Sequence, residues 1–227
     1  MCGRYSNHYR WADVHAFSTG LELSTPAQDP EAAYNFAPTQ IGWVLTANDE
    51  GGGSAHAMRW GIIPAWARDT RIAWNTINAR IETVASKPAF RAAWRARRCL
   101  VPASGYYEWP GEGRAKQPFY IHPASAPILM FAGLWERFTP ADAEAVETYS
   151  IITMDAAGPL AELHDRMPLM LPAELHQAWL YGSADEAMNI AHAAPLPEVR
   201  WHAVGKAVGN VRNQGPGLIE PISTPTR

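Results

Sequence analysis

The sequence predicts an α+β fold: a curved, partly closed, barrel-like antiparallel β-sheet with helices flanking it. Three observations carry that expectation. Short runs rich in β-branched and aromatic residues recur along the chain, separated by Gly, Pro, Asn and Asp. Few windows hold an apolar 3.6-residue period, and those windows are short. No stretch has the composition of a linker, so residues 1–227 are expected to form one domain.

The elements follow in order. Trp11, Val14 and Phe17 share a helical face, which predicts a first helix over 9–20. Residues 24–40, rich in Pro, Asp and Gln, read as an extended loop. Ile41–Thr46 and Ala55–Trp60 read as a hairpin around the turn NDEGGGS at 48–54. Ser86-Lys87-Pro88 signals a helix start, with the helix ending near Arg98. Strand-like runs follow at Cys99–Pro102, Gly105–Trp109, Phe119–His122, Ile128–Trp135, Thr148–Met154 and Met167–Leu171. Pro172 opens a helix reaching about Tyr181, and Ser183 is placed to cap another. Trp201–Val204 is the last expected strand, and the tail from Pro221 is expected to fray.

Composition narrows the function. A 47% hydrophobic chain of this length can bury a sizeable core. No apolar run approaches the roughly 18 residues of a membrane span, and no basic-then-apolar leader opens the chain. Two cysteines make no disulfide framework, which favours a reducing cytoplasm. A net charge of −3 excludes a polycation. All but three of the 19 basic residues (Lys87, Lys116 and Lys206) are arginine. Codon bias explains this better than phosphate recognition does, although the guanidinium suits phosphate. CxxC, HExxH, P-loop and strand-linked GxGxxG patterns are all lacking, so neither a metal nor a nucleotide cofactor is expected.

The chain opens MCGRY. Removal of the initiator Met1 would place the α-amine and the thiol of Cys2 on one Cα, forming a 1,2-aminothiol. Unperturbed, these groups titrate near about 8 and about 8.5, so both would be partly nucleophilic at neutral pH. Glu108 lies in the aromatic run GYYEW, where desolvation would suit it to proton transfer, although local sequence alone favours a solvent-facing Glu. His164 falls in a loop between strands and is one of eight histidines. Asn78 is either a turn residue or an amide that orients a reacting group. Arg80 would share its face if the segment is extended. Tyr34 and Trp66 sit in Pro-rich loops where stacking on bases is one use of an aromatic ring. Trp60 reads as core and Cys99 as an inert buried thiol.

MCGRY, YNFAPTQ, WGIIPAW, NARIET, GYYEW, HDRMP and AVGNVRNQG occur in this order, from Cys2 to about Pro221. Together they resemble the SOS-response-associated peptidase (SRAP) family of abasic-site-processing proteins. The resemblance implies that Cys2 traps abasic sites in single-stranded DNA as a thiazolidine crosslink. It implies catalytic roles for Cys2, Asn78, Glu108 and His164, with Asn75 a decoy. It implies DNA contacts by Arg4, Asn35, Trp66, Arg80 and Arg212. The family name also implies self-removal of residues before the cysteine. Two departures stand out: Trp66 is followed by Ala67 where many relatives have a second Trp, and Tyr107 stands where many have Phe. The expected partner is abasic single-stranded DNA, bound by a monomer without cofactors. Two rival readings remain. An amidotransferase with an N-terminal cysteine also begins Met-Cys-Gly, but its resemblance ends there. A non-catalytic single-strand-binding module would leave no covalent adduct.

Overall fold

The computed structural model describes residues 2–140 and 144–222, with no account of the Arg114 side chain. The chain runs β1 (Tyr5–Asn7), α1 (Trp11–Phe17), β2 (Leu23–Ser24), β3 (Ala33–Phe36), β4 (Ile41–Ala47), β5 (Gly53–Trp60) and β6 (Asn78–Arg80). It continues with α2 (Arg91–Ala96), β7 (Arg98–Ala103), β8 (Gly105–Glu108), β9 (Phe119–Pro123), β10 (Leu129–Phe138) and β11 (Val146–Asp155). The remainder comprises β12 (Arg166–Pro168), α3 (His176–Tyr181), α4 (Ala184–Ala193) and β13 (Val199–Ala203).

The predicted hairpin is present as β4–β5, joined by Asn48, whose side chain accepts from the N–H groups of Glu50 and Gly52. Ser183 caps α4, accepting from Glu186 N–H while Glu186 accepts from Ser183 N–H. The 24–40 segment is not all loop, because Ala33–Phe36 forms an edge strand on β1. The helix expected from Ser86 begins only at Arg91. Val204 bridges Pro221, and Ile222 N–H donates to Ala203; the rest of the tail expected to fray falls on residues 223–227. Residues 223–227 lie outside the described residues.

Two sheets form the frame. One has the order β13-β9-β8-β1-β3. In the other, β11-β10-β7-β4-β5 closes on itself because β5 also pairs with β11, at Thr148↔Arg59 and Tyr149↔Trp60. The sheet therefore closes fully into a five-stranded barrel. It is mixed rather than wholly antiparallel, since β5, β6 and β2 each make a parallel pairing. Closure leaves these five strands without a free edge along the ring.

Alternation along β10 divides the core in two. Met130, Ala132 and Leu134 face a cluster with Trp94 of α2, Trp179 of α3 and Ala187 of α4. Leu129 and Phe131 face a second cluster with Cys2, Tyr5, Tyr106 and Ile121 of the open sheet. Arg98 is buried in the helical layer and donates to the carbonyls of Trp94, Trp179 and Gly182. Gly61, at φ +114, turns the chain out of β5; a Cβ there would lie 2.6 Å from the Ala73 carbonyl oxygen. The excursion it begins ends in β6, which carries Asn78.

Candidate active site at the seam between the sheets

Each candidate side chain arrives on a different element. Cys2 precedes β1, and the β1–β8 ladder continues past the strand, with Tyr107 N–H donating to Arg4 carbonyl at 3.0 Å. That pairing brings Glu108, the last residue of β8, beside the chain's start. β6 lies parallel to β11 in the register Ile151↔Asn78, which carries Asn78 to the barrel's rim. His164 sits in the turn between a 3₁₀ segment, Gly158–Glu162, and β12. The parts meet across the seam. Asn78 Nδ2 donates to the Cys2 carbonyl at 2.9 Å, and His164 Nε2 is 4.0 Å from Glu108 Oε2. Asn78 Oδ1 is buried without a hydrogen-bond partner among the described residues. Asn75, by contrast, ends an exposed 3₁₀ turn.

Burial sets the electrostatics. Glu108 is only 4% exposed, contrary to the solvent-facing placement favoured by its local sequence. Desolvation raises its carboxyl to about 7, against the pull of the chain's terminal positive charge. His164 moves the other way, lowered chiefly by burial. His164 Nδ1 lies 2.9 Å from the Arg166 backbone nitrogen, and Nε2 is the ring atom that faces Glu108. Asp165 Oδ1, 2.6 Å from the same Nδ1, favours the imidazolium, but desolvation is the larger effect. The usual order of the two groups is thus inverted, with the carboxyl holding its proton to higher pH than the imidazole does.

The Cys2 thiol is fully buried. Burial, and then the Glu108 charge, push its pKa far up. The expectation of a partly ionised thiol at neutral pH therefore fails, and Cys2 carries an S–H in this environment. Cys99 is buried and likewise raised, and Trp60 is core.

The other candidates divide by exposure. Arg80 is exposed and shares the Asn78 face of β6, with Ala79 buried between them. Trp66 is 60% exposed, its indole N–H 3.4 Å from the Pro88 carbonyl. Arg212 is exposed on the turn that follows Gly209. Asn35 is fully buried. Its amide N–H groups reach the carbonyls of Val208, Asn210 and Asn213, and its Oδ1 accepts from Arg4 at 2.6 Å. Asn35 therefore positions Arg4, which also donates to the Val208 carbonyl and lies 5.8 Å from the Trp109 ring centroid. Tyr34 stacks on His8 at 4.8 Å.

Sequence reasoning missed Arg166 as an organiser. Its buried guanidinium bonds both carboxylate oxygens of Glu82, Asp155, and the Thr153 carbonyl. It thereby ties the NARIET segment behind Asn78 to the HDRMP turn that carries His164. Its only sequence signal is an Arg beside the candidate His, because its main partner is 84 residues away.

The site thus gathers a thiol near the chain's start, an amide bonded to the adjoining carbonyl, and a buried carboxyl raised to about 7 beside an imidazole. The family model described as SOS response associated peptidase (SRAP) matches residues 1–211. The chain belongs to that family. Over 235 residues it is 35% identical to abasic site processing protein YedK of Escherichia coli, covering 98% of this chain and all of that protein. It is 32% identical over 225 residues to abasic site processing protein YoqW of Bacillus subtilis, covering 97% and 99%. A crystal structure of a Bacteroides thetaiotaomicron protein superposes with a TM-score of 0.81 at 27% identity, covering 97% of this chain and all of that one. Among the described residues, no helix is long and apolar enough to cross a membrane.

Proposed function

We propose that this protein processes abasic sites in single-stranded DNA and captures them covalently through Cys2 once Met1 has been removed. The observation that carries the reading is the Asn78 bond to the Cys2 carbonyl with Glu108, whose charge acts on Cys2, paired with His164, in a chain alike over nearly its whole length to abasic site processing proteins. The Cys2 α-amine attacks the ring-opened deoxyribose aldehyde, giving a carbinolamine. Glu108, protonated up to about pH 7, donates to the departing hydroxyl, which leaves as water and forms the Schiff base. The resulting Glu108 carboxylate then regains a proton from the thiol, relayed by neutral His164, as Cys2 Sγ adds to the protonated imine carbon and closes a thiazolidine. The net change is protein plus DNA minus one water. A buried S–H fits this order, because the thiol acts second and on an activated carbon. Asn78 orients Cys2 through its carbonyl and presents Oδ1 to the amine or a sugar hydroxyl. Arg80 and Arg212 supply phosphate contacts, Arg4 is fixed by Asn35, and Trp66 offers a stacking face.

The test is an intact mass after denaturation, using the chain without Met1 and single-stranded DNA carrying one abasic site. A minus-one-water adduct with wild type and none with Cys2→Ala supports the reading. No adduct with wild type overturns it.

A further inference from the structure

Three of the eight histidines meet at a cavity that the seam site does not use. His8 follows β1, His122 lies on β9 and His202 on β13; with Tyr9, Asp13 and Tyr120 they line a cavity of about 500 Å³. None of Cys2, Asn78, Glu108 and His164 lines this cavity.

Its walls are aromatic. Tyr120 stacks on His122 with centroids 5.6 Å apart, and His122 and His202 are 5.5 Å apart. Its polar groups mostly accept. His122 Nδ1 lies 2.9 Å from the Pro123 carbonyl oxygen, and His202 Nε2 lies 2.7 Å from that of Ile219. A carbonyl oxygen only accepts, so these nitrogens carry the ring protons and the opposite nitrogen of each neutral ring keeps a lone pair. Burial lowers the pKa of His8 and His122, so both are neutral at pH 7. Asp13 adds a carboxylate. The neighbouring cations are Arg10, 3.6 Å from Asp13, and Arg200, whose charge reaches His122. Neither arginine lines the cavity, and no lysine does.

We propose that this cavity binds an organic cation bearing N–H donors, a guanidinium or a primary ammonium group, against Tyr120 and the paired imidazoles. Aromatic faces attract a cation within about 6 Å of the centroid. The imidazole lone pairs and Asp13 accept its N–H groups, and a flat guanidinium stacks as well as donates. An anion would meet acceptors and a carboxylate. Among the described residues, no group of three His, Cys, Asp or Glu is arranged to hold a metal ion. The same cation arrives either as a free guanidino compound or as an arginine side chain of a partner protein.

The test is an NMR titration of the full chain, following its histidine ring signals. The probes are agmatine, N-acetyl-arginine amide and the uncharged N-butylurea. Either cation is expected to shift the His122 and His202 signals to saturation, and N-butylurea is expected to leave them unmoved. Asp13→Asn and His202→Gln, each verified as folded by its thermal midpoint, should weaken agmatine by about tenfold. Tighter binding of N-acetyl-arginine amide than of agmatine assigns the site to a partner's side chain, and the reverse assigns it to a free cation. No saturable shift with either cation up to about 10 mM, an equal response to N-butylurea, or unchanged affinity in both variants overturns the proposal. None of these readouts involves DNA.

Discussion

Replacing Glu108 with Gln separates what burial does to this carboxyl from what the carboxyl does in the site. The side chain is 4% exposed, and its pKa lies at about 7 in the fold against 4.5 without the perturbation. Below pH 4.5 the carboxyl is protonated whether the chain is folded or not, and burial carries little electrostatic penalty. As pH rises, the unfolded chain releases its proton first. Stability therefore falls progressively between about pH 4.5 and 7, by about 3 kcal/mol in total. Gln cannot ionise, so Glu108→Gln lacks this loss. Urea unfolding of both proteins from pH 4 to 8 isolates the effect, because every other titrating group is common to the pair. The variant is expected to gain about 3 kcal/mol on wild type across that range, whatever its offset at pH 4. A difference that stays constant with pH would refute the claim that desolvation governs this carboxyl.

Capture by wild type should slow above about pH 7, as Glu108 loses its proton, and Glu108→Gln should be slow throughout without that step; quenched single-turnover crosslinking measures both. Cys2→Ser retains the amine but replaces the thiol with a weaker nucleophile, so its adduct should be reduced in yield and lost on dilution; a stable wild-type yield would exclude the thiazolidine. Arg80→Ala should weaken DNA binding and flatten the slope of log affinity against log salt by about one phosphate contact, read by fluorescence anisotropy. Arg98→Met removes a buried guanidinium from three helical carbonyls and should cost at least about 3 kcal/mol in urea unfolding while leaving the capture rate per folded molecule unchanged.

Much of the frame was legible because its signals are local. β4 and β5 are alternating runs around a Gly-rich turn, and Ser183 with Glu186 spells a capping box. β3 was not legible: four residues within a segment rich in Pro, Asp and Gln carry too little pattern, and only pairing with β1 makes them a strand. Full closure was hidden for a related reason. The β5–β11 contact joins residues 89 positions apart, Arg59 and Thr148, and nothing in either run marks its partner. The candidate residues were named through their resemblance to a family. Local sequence alone favoured an exposed Glu108, because its burial depends on the seam between two sheets. The ionisation of Cys2 was misjudged for the same reason, since free-solution values take no account of an enclosing core.

The anchorage of Arg4 has a consequence for the order in which the protein matures. Arg4 and Asn35 bond the carbonyls of Val208, Asn210 and Asn213, and β1 lies between β3 and β8. During synthesis the amino terminus leaves the ribosome well before residues 208–213 exist. The segment that begins with Cys2 therefore waits, unsheltered, while almost the whole chain is made. Any enzyme that trims Met1 meets an open terminus in that interval. Afterwards Arg4 is tied to the carboxyl-terminal turn, and the segment that begins with Cys2 is held in place.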